Sequence, residues 1–234
     1  MATLILVRHG RSTANSGRIL AGRGPGIHLD DHGREQAIQV AERLAGVPLA
    51  RVVSSPLERT RETAEPLLAS LGAELVLEPG IVECDYGEWT GQSFEVLLKE
   101  PLWKTVQRQP SSVRFPDGES MLEMSSRGVA AVRRHDREVQ ETHGPGAVWV
   151  AFSHGDVIKS VLADAFGMHL DLFQRINVDP GSASVVRYGE HRPSVLAVNT
   201  HAGSLAWTVP PAEHQREAPA GDAVVGGGSG PTSG

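Results

Sequence analysis

A single cysteine occurs among the 234 residues, so this chain cannot form an internal disulfide bond. One unpaired thiol is typical of proteins that remain in a reducing compartment. Long apolar runs are missing too. The N-terminal run at Leu4–Val7 is shorter than a signal peptide requires, and no window of about 20 apolar residues could span a membrane. We therefore expect a soluble, cytoplasmic protein with no membrane partner.

An excess of positive charge is also absent. The chain has 22 Lys and Arg against 28 Asp and Glu, which gives a formal net charge of −6. Proteins that bind nucleic acid without regard to sequence are usually basic, so we expect no nucleic-acid partner. At 40% hydrophobic residues the length suits one good-sized core, and we predict a single domain over residues 1–207.

The last part of the chain has a different composition. Residues 208–234 are rich in Pro, Gly, Ala and Ser and lack apolar periodicity. Such a segment cannot bury enough apolar surface to fold alone, so we predict a disordered tail. The alternative is a docking tail.

Several catalytic motifs are missing. There is no G-x-x-x-x-G-K-[ST] loop for nucleotide phosphates, and the histidines show no H-E-x-x-H or comparable metal-ligand spacing. A cysteine phosphatase would need an arginine at the end of the loop after its thiolate, but the sixth residue after Cys84 is Thr90. Cys84 is better interpreted as a buried, reduced thiol.

Strands alternate with helices along the chain. Short apolar runs predict strands at Thr3–Val7, Arg51–Ser54, Glu74–Leu77, Ala147–Phe152, Ser184–Tyr188 and Ser194–Asn199. The nearly continuous apolar character of the first and fourth runs is typical of parallel strands that are covered on both faces. We predict an α/β fold, a three-layer sandwich with a mostly parallel central sheet flanked by helices.

Capping residues predict where the helices begin. Asp30 is a candidate N-cap for a helix to about residue 45, and Ser120 opens a capping box for a helix to about residue 142. Ser55, followed by Pro56 and Glu58, predicts a second capping box. A further helix is expected from Gly155 to Phe166.

Polar residues follow three of the predicted strands. Arg8 and His9 follow the first strand, Arg59 lies in the first turn of the helix after the second, and His154 and Gly155 follow the fourth. Ligands of open α/β sheets bind beyond the carboxyl ends of the strands. Helix N-termini add N–H donors, and the planar fork of arginine suits phosphate oxygens. The pattern predicts a pocket for a small phosphorylated metabolite.

Residues 85–118 carry a group of aromatic side chains between the predicted third strand and the helix after Ser120. We predict a partly helical, cap-like insertion that folds over the sheet edge. The aromatics are interpreted as core rather than as ligand contacts, and they are Tyr86, Trp89, Phe94, Trp103 and Phe115.

Five segments carry a family resemblance, in the order LVRHGRSTAN, SSPLERTRETA, ECDYGEWTG, FPDGES and SHGDVIK. Over about residues 3–200 the chain resembles the histidine phosphatase superfamily, the phosphoglycerate-mutase-like proteins. It is also similar to a bacterial subgroup often labelled probable phosphomutase. The resemblance implies a phosphoglycerate-mutase-like fold. It also makes a homodimer or higher homo-oligomer possible, because dimers are common among similar proteins.

The resemblance also implies roles for individual residues. His9 would be the nucleophile that becomes phosphohistidine, and Glu83 would be the proton donor. The groups expected to bind phosphate are the N-terminal backbone of the helix at Gly155 and the side chains of Arg8, Ser12, Asn15, Arg59 and His154.

Two residues depart from the pattern of the family. Arg11 stands where Glu is common, and Ala14 stands where the mutases usually have Trp. Both bear on the identity of the substrate and leave the chemistry intact. One hypothesis is that Arg11 favours a substrate with an additional negative group.

The predicted chemistry sets requirements on two protonation states. An imidazole must be unprotonated to attack phosphorus, and nearby Arg8 and Arg59 should disfavour the cationic form of His9. Glu83 must hold a proton to act as an acid, so we predict an acidic to neutral pH optimum. We expect no metal and no cofactor, because the arginines supply the positive charge.

The sequence is compatible with three functions. The first is a metal-independent phosphatase for small phosphomonoesters, and the substitution at Ala14 favours it. The second is a phosphomutase of the phosphoglycerate mutase type on the same histidine. The third is a phosphate-binding protein without catalysis, which the intact set of nucleophile, clamp and acid argues against.

Overall fold

A computed structural model describes residues 2–202 of the chain. Its strands are β1 (Thr3–Arg8), β2 (Leu49–Ser54), β3 (Leu75–Leu77), β4 (Val148–Ser153), β5 (Ala183–Tyr188) and β6 (Pro193–Thr200). Within the described residues they form a six-stranded sheet of order β3–β2–β4–β1–β5–β6. The pairs among β1 to β4 are parallel, whereas β5 and β6 join antiparallel at one edge. The predicted, mostly parallel sheet is confirmed.

The helices are α1 (Thr13–Ser16), α2 (Asp31–Leu44), α3 (Glu58–Leu71), α4 (Phe94–Leu97), α5 (Pro101–Arg108), α6 (Met121–His143) and α7 (Gly155–Phe166). Short 3₁₀ turns occur at Pro79–Ile81, Gly87–Trp89, Pro110–Ser112 and Leu170–Arg175. None of the helices in the described part of the chain is long and apolar enough to cross a membrane.

Alternate residues of the central strands enter two separate hydrophobic cores. Leu4 and Leu6 of β1 pack with residues of α6 and α7, whereas Ile5 and Val7 pack with residues of α2 and α3. Side chains point alternately to the two faces of a strand, so the sheet is covered by helices on both sides. This arrangement confirms the predicted three-layer α/β sandwich.

Two of the three predicted helix caps are confirmed. The Asp30 side chain accepts a hydrogen bond from the Gly33 N–H at 2.8 Å, and Ser120 forms its capping box with Glu123. The predicted box at Ser55 is wrong. Helix α3 begins at Glu58 after Leu57, without a side-chain cap. The Ser55 hydroxyl instead bonds the His154 imidazole, a tertiary partner that local spacing does not reveal.

The aromatic residues of the 85–118 segment pack on one another beside α6. Tyr86 and Phe115 meet edge-on with ring centroids 5.0 Å apart, and Trp89 stacks on Trp103. Their assignment to the core is confirmed, because Tyr86, Trp89, Trp103 and Phe115 are buried and Phe94 packs against them. That this segment acts as a cap stays a prediction, as does the single domain. The predicted tail, residues 208–234, lies outside the described residues.

Candidate active site

His9 directly follows β1, at the carboxyl edge where β2, β4 and β1 lie side by side. Its Nδ1 lies 2.7 Å from the Gly10 carbonyl oxygen, which can only accept, so Nδ1 carries the hydrogen. The Arg59 Nε–H donates to His9 Nε2 over 3.3 Å, which requires a lone pair on Nε2. The ring is therefore held as the neutral tautomer, with the hydrogen on Nδ1 and the lone pair on Nε2.

Burial and charge both keep His9 neutral. The side chain is almost fully buried, and burial lowers the pKa of His9 well below its usual value, with further lowering by Arg59 and Arg8. The direction is the one expected from the sequence. The larger cause is burial rather than the two arginines, and burial could not be read from a strand-end position alone.

Close backbone packing fixes the loop that carries His9. The Gly10 N–H donates to Thr63 Oγ1 of α3 at 3.0 Å. A Cβ atom on Gly10 would lie 2.5 Å from the carbonyl oxygen of Gly33, which is closer than real contacts allow. A glycine is therefore required here, and the loop is clamped between α2 and α3.

Arg59 reaches the site from the first turn of α3, as expected from its position. Its Nη2 donates to the Gly22 carbonyl at 2.9 Å, while Nη1 is buried and has no hydrogen-bond partner among residues 2–202. Burial lowers the pKa of Arg59 to about 10, so the guanidinium remains charged at neutral pH. The unpartnered donor is well suited to an anion beside His9.

Arg8 is the last residue of β1 and is completely buried. Its Nη1 donates to the Val178 carbonyl at 2.8 Å. Burial lowers the pKa of Arg8, and the negative potential of Glu83, Asp179 and Asp156 opposes that shift. Arg8 thus supplies a second guanidinium at the strand edge.

His154 follows β4 and is the N-cap residue of α7. Its ring centroid lies 5.3 Å from that of His9, so the two imidazoles share one site. Nε2 lies 2.8 Å from Ser55 Oγ, whereas the buried Nδ1 has no hydrogen-bond partner in the described chain. Burial, with Arg59 and His9, lowers the pKa of His154 well below its usual value. A neutral His154 can donate one hydrogen bond but adds no charge.

Ser12 and Asn15 lie in the loop and short helix α1 after His9. They form a reciprocal capping box, in which the Asn15 N–H donates to Ser12 Oγ at 3.3 Å and the Ser12 N–H donates to Asn15 Oδ1 at 3.0 Å. Gly155 begins α7, where the first N–H groups of a helix have no partner within it. Ser12 and Asn15 thus bond each other in the segment after His9, and Gly155 follows His154 at the start of α7.

Glu83 lies beyond the 3₁₀ turn at Pro79–Ile81, and its carboxylate accepts the Cys84 N–H at 2.9 Å. Burial, with a smaller contribution from the negative charge of Asp156, raises the pKa of Glu83 to about 7. Arg59 and Arg8 oppose the shift but do not overcome it. Burial therefore outweighs the nearby cations and favours the protonated form of Glu83.

Asp156 is a functional candidate that sequence reasoning missed. It is fully buried in α7, accepts the Tyr86 hydroxyl at 2.7 Å, and lies 3.5 Å from Lys159 Nζ. Lys159 also donates to Gln174 at 3.0 Å. The available signal was a pair of opposite charges three residues apart, Asp156 and Lys159, at the start of the largely apolar helix GDVIKSVLADAF.

The two residues that depart from the family pattern, Arg11 and Ala14, have different surroundings. The Arg11 guanidinium is paired with Asp30 at 2.6 Å, so its charge is already matched within the protein. The hypothesis that Arg11 attracts an additional negative group therefore lacks a free cation to support it. Ala14 is buried in α1.

Between residues 2 and 202, no group of three or more His, Cys, Asp or Glu side chains is arranged to hold a metal ion. Cys84 is buried, and burial raises the pKa of its thiol well above the usual value, which agrees with a reduced structural cysteine.

Known proteins resemble this chain over most of its length. Phosphoserine phosphatase 1 of Hydrogenobacter thermophilus is 31% identical over 205 residues, which are 85% of this chain and 92% of that protein. The probable phosphoglycerate mutase GpmB of an Enterobacter species is 30% identical over 192 residues, 81% and 86% of the two chains.

The likeness extends to a solved structure and to a family model. The phosphoserine phosphatase of Entamoeba histolytica, solved with 3-phosphoglyceric acid, shares the fold with a TM-score of 0.76 at 23% identity, over 86% of this chain and 98% of that one. The model of the histidine phosphatase superfamily, branch 1, matches residues 4–201. With the histidines, arginines and carboxyl group gathered at one sheet edge, this chain belongs to the histidine phosphatase superfamily.

Proposed function

We propose that this protein is a metal-independent phosphatase that hydrolyses small phosphomonoesters through a phosphohistidine on His9. The observation that carries the proposal is the pairing of two protonation states in one buried site. His9 presents an unprotonated Nε2, and Glu83 retains its proton up to about pH 7. Two titratable groups with opposed pKa shifts are the usual mark of a nucleophile and its acid.

In the first step the Nε2 lone pair of His9 attacks phosphorus and the P–O ester bond breaks. Glu83 transfers its proton to the departing oxygen, which leaves as an alcohol. The ring keeps its hydrogen on Nδ1, and the Gly10 carbonyl stabilises the positive charge that develops there. The fixed guanidinium groups of Arg8 and Arg59 stabilise the charge spread over the phosphoryl oxygens.

In the second step Glu83, now a carboxylate, takes a proton from a water molecule whose oxygen attacks phosphorus. The P–N bond breaks, its electron pair returns to His9 Nε2, and inorganic phosphate leaves. Glu83 is protonated again, so the cycle closes without a metal or a cofactor.

The donors for the phosphoryl group come from three strand ends. Arg59 Nη1 and His154 Nδ1 are buried and have no partner among the described residues, so both can bond phosphate without breaking a contact. Arg8, Asn15, Ser12 and the N-terminus of α7 would complete the pocket. A small phosphorylated metabolite is the expected partner, in line with the phosphoserine phosphatase to which this chain is similar.

A phosphomutase is the second candidate, and the likeness to a probable phosphoglycerate mutase favours it. A mutase uses the same phosphohistidine but returns the phosphoryl group to a bound substrate rather than to water. A panel of phosphomonoesters separates the candidates, including phosphoserine and 3-phosphoglycerate with and without 2,3-bisphosphoglycerate. Released phosphate supports the phosphatase, and isomerised product without net phosphate supports the mutase. Tight phosphate binding with no turnover on any ester would favour the non-catalytic alternative.

The Ser55 hydroxyl orients the His154 imidazole, and its removal tests that role. When it donates to His154 Nε2, the hydrogen of the imidazole is placed on Nδ1, where it can reach a phosphoryl oxygen. We expect Ser55→Ala to lower kcat/KM roughly tenfold, the cost of one misdirected hydrogen bond. Steady-state kinetics on one good substrate measures it. Ser112→Ala, which removes an exposed hydroxyl bonded to the Gln109 carbonyl, is the control and should leave the rate unchanged.

Asp156 influences the pH dependence of the proposed reaction through the pKa of Glu83. Its negative charge raises the pKa of Glu83, so Asp156→Asn should lower that pKa from about 7. Because the first step needs protonated Glu83, kcat/KM falls as pH rises through this pKa, and the falling limb should move to lower pH in the variant. A kcat/KM profile between pH 5 and pH 9 measures the shift. Asp164→Asn, also on α7 but paired with Arg133, should keep the wild-type profile; an unmoved limb in Asp156→Asn would contradict the assignment.

A further inference from the structure

The main chain around Glu83 is held by two arginine side chains from distant parts of the sequence. Arg127, on α6, donates from Nη1 to the Gly80 and Val82 carbonyls at 2.9 and 2.6 Å, and from Nη2 to the Glu83 carbonyl at 3.0 Å. Arg23, in the loop after α1, donates from Nε to the same Glu83 carbonyl at 2.8 Å. The carbonyl groups of Gly80, Val82 and Glu83 thus take their partners from side chains rather than from a strand or helix.

Glu119 joins these two arginines to each other. Its carboxylate accepts from Arg127 Nη2 at 2.5 Å and Nε at 3.0 Å, from Arg23 Nη2 at 2.8 Å, and from the Asp85 N–H at 2.9 Å. Although burial alone would raise it, the bonds from Arg127 and the Asp85 N–H hold the pKa of Glu119 below its usual range. The carboxylate therefore fixes both guanidinium planes, and these fix the backbone on both sides of Glu83.

A second set of contacts from α6 holds the start of the same segment. The Glu78 carboxylate accepts from the Gly80 N–H at 2.6 Å and lies 2.8 Å from His135 Nε2, and Arg134 also bonds it. The backbone before Glu83 is thus attached to α6 at two points. Arg127 is the one whose bonds reach Glu83 itself.

We propose that Arg127 and Glu119 are positioning residues that hold the Glu83 carboxyl group at the leaving oxygen of the substrate. This inference rests on the proposed function, in which Glu83 is the general acid. Proton transfer requires the two oxygens to come within hydrogen-bond reach, and a displacement of about 1 Å can cost 10²-fold in rate. A guanidinium that binds the carbonyl groups of Gly80, Val82 and Glu83 opposes such a displacement of the main chain. The Cys84 N–H, which bonds the Glu83 carboxyl group itself, would not do so alone.

Two substrates with different leaving groups distinguish positioning from a general structural role. p-Nitrophenyl phosphate releases a stabilised phenolate that needs little help from an acid, whereas glycerol 2-phosphate releases an alkoxide that must be protonated. We expect Arg127→Met to lower kcat/KM for glycerol 2-phosphate about 10²-fold and for p-nitrophenyl phosphate only a few-fold. Arg127→Lys should recover part of the loss, because an ammonium group can still donate to one or two of the carbonyls.

Glu119→Gln provides a milder variant should Arg127→Met not fold. The amide keeps the size of the side chain and can still accept the Asp85 N–H, but it loses the charge that orients the arginines. Glu119→Gln should also lower kcat/KM more for glycerol 2-phosphate than for p-nitrophenyl phosphate, but by a smaller factor than Arg127→Met. Combined with Glu83→Gln, neither substitution should reduce glycerol 2-phosphate turnover selectively any further, because the residue they position is gone.

Arg133→Gln is the matched control, since Arg133 also lies on α6 but pairs with Asp164 of α7 at 2.7 Å. It should leave both substrates unaffected. An equal loss on both substrates in Arg127→Met and Glu119→Gln, while Glu83→Gln alone discriminates between them, overturns the positioning role. A Glu83→Gln variant that does not discriminate would instead overturn the proposed role of Glu83 and leave these arginines with no acid to position.

Discussion

His9→Ala is expected to lower kcat/KM for every phosphomonoester by at least about 10⁴-fold, because removal of a nucleophile eliminates the covalent route. Arg8, Arg59 and His154 would remain in place and could still bind phosphate. The variant should therefore retain affinity for inorganic phosphate, a competitive ligand of the wild-type protein, while losing turnover. Steady-state kinetics and a binding titration with phosphate measure the two effects separately.

The covalent intermediate provides a direct second measurement. When a substrate with a labelled phosphoryl group is mixed with the wild-type protein and denatured in base, label should remain on the chain and should be released by acid, as phosphohistidine requires. No label should remain on His9→Ala. The control is His169→Ala, which removes an exposed imidazole that contacts Asp171. Turnover in His9→Ala above about 1% of wild type would exclude His9 as the nucleophile of both the phosphatase and the mutase.

The His9 prediction rests on features that the sequence reveals unusually well. The apolar run Leu4–Val7 predicts a strand, and the polar residues Arg8 and His9 mark its end in the sequence. That Arg8, His9 and His154 meet depends on β4 lying beside β1, where Arg8 pairs in register with Ser153. The alternation of strands and helices predicts a parallel sheet, and parallel strands bring their carboxyl ends to one edge. The strand order itself was not predictable from local patterns.

Residues whose roles depend on tertiary partners could not be identified in this way. The S-x-x-E pattern at Ser55 satisfied a local rule, but the imidazole of His154 competes for its hydroxyl group. In the sequence, Asp156 is only a charged residue in a largely apolar helix. Its contacts with Tyr86 and Lys159 become visible in the fold. Arg127 is one of several arginines on the amphipathic helix α6, where such a side chain is usually solvated, and its bonds to three carbonyls and to Glu119 become visible only in the fold. The pKa of Glu83 likewise depends on burial, which sequence neighbours do not reveal.

Glu83→Gln is the second prediction with a large effect. We expect it to lower kcat/KM for alkyl phosphomonoesters by about 10²- to 10⁴-fold, the range of general acid–base catalysis. Glutamine keeps the size of the side chain and can still accept the Cys84 N–H, but it has no proton to give. p-Nitrophenyl phosphate should be affected much less in the phosphorylation step. Glu88→Gln, an exposed carboxylate in the same segment, should behave like wild type.

The pH profile makes the Glu83 prediction specific. The pKa of Glu83 is raised to about 7, so the acid form is present below that pH and is lost above it. Wild-type kcat/KM for an alkyl ester should therefore fall above about pH 7, and the variant should lack this limb. A wild-type rate that rises steadily to about pH 9 would exclude Glu83 as the acid.

Folding stability should show the same ionisation in the absence of substrate. A carboxyl group whose pKa is raised on folding stabilises the native state while it is protonated. This contribution to the free energy of unfolding is lost as pH rises from the pKa of the unfolded chain to the folded pKa of about 7. Glutamine does not ionise, so Glu83→Gln should gain thermal stability relative to wild type between pH 5 and pH 8. The activity and the stability difference would then change over the same pH range, because both report one buried proton. If the stability difference is constant across that range, the Glu83 pKa is not raised, and the acid that serves His9 must be another group.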